Sequence, residues 1–137
     1  MLGDSLGTLR GRVTGQRILP STGSAAKVEV SFEISGTLMG IAVTMLGTYW
    51  SVVRPDGSLY GECPNQGAIM TAEGQTGTWT GAGVGRFTGK GSAVSFRGAV
   101  YFDGGGPKLV PLTRMAVLYE WDVNEDGSAE ARFAEWK

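Results

Sequence analysis

The chain has 137 residues, 12 basic and 13 acidic side chains, a formal net charge of −1, one cysteine and no histidine. That length fits one domain able to bury a core. Scattered, balanced charge removes the electrostatic footprint of a nucleic-acid or anionic-membrane binder, and the missing histidine excludes histidine-based triads, metal sites and acid/base chemistry.

Cys63 has no partner for an internal disulfide, and the amino terminus lacks a basic segment followed by an apolar run, so a cytoplasmic protein is expected. No stretch approaches the roughly 18 apolar residues of a membrane helix. Apolar residues recur at spacing two almost throughout, which predicts an all-β protein. Gly7 to Leu19 reads as a first strand, with Leu9, Gly11 and Val13 on one face, ended by the loop Pro20 to Ser24. Val28, Val30, Phe32 and Ile34 alternate with Glu29, Ser31, Glu33 and Ser35 in a half-buried second strand. Ser35 to Gly40 is read as its connection to a third strand, Ile41 to Arg54, which closes at the turn Pro55-Asp56-Gly57-Ser58. The fourth, Leu59 to Thr71, is interrupted around Pro64, which cannot donate to a ladder and so predicts a bulge or an edge.

The fifth strand, Gly77 to Thr88, carries the most informative run. Gly81, Gly83 and Gly85 share one face with Trp79 and Phe87, so large rings stand at the ends and the middle is empty. The sixth strand, Ser92 to Phe102, places Val94, Phe96, Gly98 and Val100 on one face. Asp103 to Pro111, glycine-rich and bounded by prolines, reads as a flexible surface loop or a flap at a barrel mouth. Thr113 to Val123 aligns Met115, Val117, Tyr119 and Trp121, and a last strand runs from Ser128 to Lys137. Eight antiparallel strands with short connections predict a single up-and-down β-barrel over residues 1–137. A sandwich is the alternative, disfavoured because closure removes exposed edges.

Aromatic walls with glycine gaps make a pocket, and Tyr49, Trp79, Phe96, Tyr119 and Trp121 are its expected ligand-binding residues. The competing expectation is that facing rings fill the gaps and leave a solid core. Glu62, in the densest polar patch outside the turns, is the candidate catalytic carboxylate, since facing an apolar cavity would raise its pKa. Replacing it by glutamine should then abolish turnover and preserve binding. Cys63 reads as a small buried hydrophobe. Asp122, Asn124, Asp126 and Gly127 open like a calcium loop, but Phe133 stands where the bidentate glutamate belongs, so an acidic hairpin turn and no metal are expected. Apolar residues in both parities of the third strand, Met45 and Tyr49 against Leu46 and Trp50, leave one face outside and predict a homo-oligomer.

Thr78-Trp79-Thr80-Gly81, Gly83-Val84-Gly85-Arg86-Phe87, Ser95-Phe96-Arg97-Gly98 and the terminal Phe133-Ala134-Glu135-Trp136 resemble an uncharacterised bacterial family similar to the allene oxide cyclase type of calycin-like barrel. That resemblance implies an oligomeric barrel that confines an apolar fatty-acid or polyketide-type molecule, as a cofactor-free cyclase, isomerase or cycloaddition catalyst. No catalytic motif of those enzymes aligns here. Lipocalins are a second comparison, but their Gly-X-Trp lies on the first strand, whereas Gly77-Thr78-Trp79 is in mid-chain. A filled barrel with an oligomerising outer surface is the alternative function.

Overall fold

The computed structural model describes residues 2–137. Eight strands form a closed antiparallel barrel in sequence order, β1 (Leu2–Leu19), β2 (Lys27–Leu38), β3 (Ile41–Val53), β4 (Leu59–Thr71), β5 (Thr76–Phe87), β6 (Val94–Gly104), β7 (Ala116–Val123) and β8 (Ser128–Trp136). The 18-residue β1 closes it, pairing with β2 on one side and β8 on the other. All-β, up-and-down and closed is the architecture that the spacing-two pattern predicts.

Alternation decides what faces inward. Phe32, Ile34 and Leu38 of β2, Val43 and Met45 of β3, Phe96, Val100 and Phe102 of β6, and Val117, Trp121 and Val123 of β7 are buried in one cluster. The expected connection at Ser35 to Gly40 is shorter than its sequence suggested. Strand β2 continues to Leu38, and the turn is only Met39 and Gly40, both at positive φ.

The interruption in β4 is a wide bulge. Register jumps between Cys63 and Gly67 against β5, and across the same segment against β3. Pro64, Asn65 and Gln66 are exposed there, with Asn65 at φ 53°. The bulge adds two residues relative to each neighbour, so parity survives it. Leu59 and Cys63 before it, and Ile69 and Thr71 after it, are therefore all buried on the inner side.

The segment Asp103 to Pro111 departs from expectation. It is neither a loop nor a flap. Gly104, Gly105 and Gly106 take φ of 72°, 101° and 77°, a run only glycine adopts without strain, and turn the chain into helix α1 (Gly106–Thr113). Leu109 and Leu112, three apart on one helical face, are buried in the barrel core and close that end. The Glu73 carboxylate pairs with Lys108 at 2.5 Å, and the Gln75 side chain accepts from the Lys108 backbone N–H at 3.2 Å, tying the helix to the β4–β5 turn. No helix among the described residues is long and apolar enough to cross a membrane.

Outside, β6, β7, β8 and β1 carry an ion-pair lattice. Arg132 reaches Glu120 and Asp122 at 2.8 Å each and also pairs with Glu130, while Arg97 adds Glu120 at 3.4 Å and Asp122 at 3.5 Å. Burial pushes the Asp122 carboxyl up, but the Ser95 hydroxyl and Arg132 outweigh it and hold it below the usual range. Asp126 accepts from both the backbone N–H and hydroxyl of Ser128. Asp122 thus belongs to the lattice and Asp126 to the hairpin turn.

Candidate functional site

The inner wall formed by β4, β5 and β6 is built on glycine, and cross-strand register shows why. Gly61, Gly83 and Gly98 form one row that ends at Tyr119 of β7. The phenol of Tyr119 lies back along this row. A Cβ on Gly98 would stand 2.8 Å from the Tyr119 oxygen, and one on Gly83 would overlap that oxygen. In the next row Phe96 lies over Gly85, where a Cβ would come within 2.6 Å of its ring. On the other side Trp79 lies over Gly67 and Gly47, which likewise have no room for a side chain. Glycine rows covered by neighbouring rings are a recognised way of curving a sheet without leaving holes.

Between the Trp79 row and the Tyr119 row runs Cys63, Gly81 and Val100. No ring lies over Gly81, whose nearest neighbour to an added Cβ is the Ala99 carbonyl oxygen at 3.1 Å. Here the interior opens into a cavity of about 60 Å³, lined by Tyr49, Trp79, Phe96, Tyr119 and Trp121 together with Phe32, Met45, Cys63 and Phe133. Of the glycine gaps on β5, then, rings fill those at Gly83 and Gly85 and leave the one at Gly81. Phe87, in the same parity, is half exposed at the far end.

The five aromatic residues expected to line a pocket come together around this space. Phe32 is their hub, with ring centroids 4.6 Å from Trp121, 5.9 Å from Trp79 and 6.1 Å from Tyr49. Tyr49 meets Phe96 and Trp121 edge-on at 6.0 and 6.4 Å, geometries that favour aromatic pairs. Its hydroxyl accepts a hydrogen bond from Trp121 Nε1 at 3.3 Å, while Trp79 Nε1 donates to the Ala68 carbonyl at 3.1 Å. The Tyr119 hydroxyl makes no hydrogen bond to any described residue.

Glu62 stands apart from them. It occupies the parity opposite to Gly61 and Cys63, pairs with Trp50 and Ala82, and accepts a hydrogen bond from the Tyr60 hydroxyl at 3.0 Å on the outer face. By alternation it borders the cavity as backbone, in a wall thinned by Gly61 and Gly81. The carboxylate expected to face an apolar interior is therefore aimed away from it. Cys63, by contrast, is buried and lines the cavity, and burial raises its thiol pKa against backbone N–H bonds from Gln66 and Thr48.

Burial pushes Tyr49 up to about 12 and raises Tyr119 as well, with Tyr49 adding to the latter. Both pKa values lie above the ordinary tyrosine value, so their contribution to stability is complete below about pH 10 and is lost at higher pH, for Tyr49 as pH rises through about 12. For Tyr49 the shift corresponds to about 3 kcal/mol. In an alkaline titration, tyrosinate absorbance of these two should appear only together with loss of near-ultraviolet circular dichroism. Ionisation of all four tyrosines with the fold intact would contradict this enclosure.

No protein-family model matches the chain, and no curated protein does. Solved structures do. A conserved protein of unknown function from Rhodopseudomonas palustris superposes with a TM-score of 0.78 over 98% of this chain and 97% of that one, at 14% identity. A protein with unknown function from Clostridium acetobutylicum superposes with a TM-score of 0.74 over 98% of each chain, at 15% identity. What is shared is the barrel. At this identity the likeness extends to the fold alone.

Proposed function

We propose that this barrel binds a small, largely apolar molecule in the gap over Gly81, between Trp79 and Tyr119. One observation carries the proposal: neighbouring rings cover the glycines on either side, and the row of Cys63, Gly81 and Val100 is left open inside an aromatic wall. At about 60 Å³ the space is smaller than the ~150 Å³ of a cavity that holds benzene, so an occupant of that size requires a wall residue to yield. Met45, unbranched and adaptable, is the wall residue best suited to do so. A fatty-acid or polyketide chain of the kind implied by the allene oxide cyclase resemblance would have to displace several rings.

Catalysis, on this proposal, would rest on confinement and the two tyrosine hydroxyls, which suits a cofactor-free isomerisation or cyclisation and gives Glu62 no part in it. Glu62→Gln should leave binding unchanged. The test of the site itself is Gly81→Leu, which places a side chain in the gap at a backbone conformation open to any residue. Fluorine NMR of fluorobenzene should detect binding to the parent protein and about a tenfold or greater loss with the variant, its fold intact by circular dichroism. Equal binding by both proteins would place the site elsewhere.

A second function, an interaction barrel, is favoured by the outer surface. Ala82, Ala99, Leu118 and Ala134 lie in register across β5 to β8, and Tyr101 and Trp136 are 54% and 58% exposed one row away. The outer face of β3, from which self-association was expected, is partly shielded by its own chain. Trp50 there lies under the Lys27 ammonium at 4.4 Å and against the Tyr60 ring at 5.9 Å. Association through the β5 to β8 face would make sedimentation concentration-dependent and sensitive to Trp136→Glu, whereas a monomer at all concentrations would remove this function.

A further inference from the structure

We infer that the Tyr119 hydroxyl is the polar anchor of the cavity and that the ligand it selects is a small apolar carbonyl compound, a ketone, enone or lactone, rather than a hydrocarbon. This rests on the proposed site over Gly81 and adds the chemical class of its occupant.

The inference comes from counting donors and acceptors around one cavity. Trp79 Nε1–H is satisfied by the Ala68 carbonyl, and Trp121 Nε1–H by the Tyr49 oxygen. Tyr49 accepts in that bond, so its own proton remains to be given. The Tyr119 hydroxyl has no hydrogen-bond partner among the described residues. The carboxylate nearest in sequence to the wall, Glu62, is turned to the outer face and engaged by Tyr60. The polar side-chain groups of the cavity are thus two phenol hydroxyls, each with a proton still to give, and the Cys63 thiol, with no carboxylate among them.

Burial keeps both phenols protonated throughout the physiological range, so they stay donors. A carbonyl oxygen accepts and never donates, and it complements such a site. A hydrocarbon, by contrast, leaves the phenol unpaired. The position of Tyr119 is set by its surroundings. Its ring is seated on Gly98 and Gly83, where any side chain would expel it, and this holds the hydroxyl over the thin part of the wall beside Gly81. Glycine at these two positions serves both the curvature of the sheet and the placement of one donor.

The experiment compares cyclopentanone and cyclopentane, two rings of similar size, by calorimetric titration of the full chain and of Tyr119→Phe. The parent protein should prefer the ketone to the hydrocarbon by about tenfold, the worth of one net hydrogen bond. Tyr119→Phe should erase the preference by weakening the ketone and not the hydrocarbon, a split that a merely structural tyrosine would not produce. Independently of any variant, the carbonyl stretch of bound cyclopentanone should move to lower frequency than in a hydrocarbon solvent. Equal affinity for ketone and hydrocarbon, with an unshifted stretch, would overturn the anchor and leave the Gly81 site standing. No binding of either would overturn both.

Discussion

Gly98→Ala is expected to destabilise the barrel by about 3 kcal/mol or more, the range reached when a new atom has nowhere to go in a packed wall. A Cβ at Gly98 would overlap the Ala82 carbonyl oxygen, stand 2.7 Å from Gly83 Cα and stand 2.8 Å from the Tyr119 hydroxyl. Two of these neighbours are backbone of β5, so no side-chain rotation relieves them. The strands would have to separate at the point where Tyr119 lies across them. Gly81→Ala, one row away and on the same inner surface, meets only the Ala99 carbonyl at 3.1 Å and should change stability by less than about 1 kcal/mol. Thermal melts of the two variants check the contrast. Equal melting temperatures would mean that the glycines are interchangeable spacers.

Trp79→Ala should cost about 3–5 kcal/mol, lowering the melting temperature by roughly 10 °C or more. The indole is buried, packs on Phe32, donates to Ala68 and occupies the space that Gly67 and Gly47 leave free. Removing it opens a void along the row of Gly67 and Gly47 and takes a donor from the Ala68 carbonyl. The loss should also couple to Gly67. Gly67→Val alone would collide with the indole and destabilise, but in the Trp79→Ala background the collision is gone and the added side chain refills part of the void. A double-mutant cycle should therefore show the pair less destabilised than the sum of the single variants by about 1–3 kcal/mol. Additivity would mean that Trp79 and Gly67 do not share the space assigned to them.

Strand identity and barrel closure were legible in the sequence because alternation over eight segments has few other solutions. The shared parity of Trp79, Gly81, Gly83, Gly85 and Phe87 was legible too, but not that this face points inward. Which rings cover which glycines was not, because Tyr119 meets Gly83 only through register across β6, a relation that spacing along one strand does not contain. The helix α1 was hidden for a local reason. Three glycines followed by Pro107 and Pro111 carry the composition of a loop, and only the pair Leu109 and Leu112 signals a buried helical face.

Glu62 illustrates a different limit. Polar neighbours at Asn65 and Gln66 drew attention to it, yet those residues belong to the exposed bulge, while the alternation of Gly61 and Cys63 assigns Glu62 to the outer face. Phe32, the hub of the aromatic cluster, was visible as an inward residue on the clearest strand but had no feature separating it from ordinary core. Its position becomes distinctive only when β2, β3, β5 and β7 converge on it.

The central claim, an occupied gap over Gly81, is tested most directly by native mass spectrometry of the purified protein, followed by denaturation and identification of what is released. A stoichiometric small apolar molecule, absent from Gly81→Leu prepared in the same way, is the predicted result. A bare protein mass for both, with no binding when apolar carbonyl compounds are then added in excess, would contradict the claim and leave a barrel whose rings fill its interior.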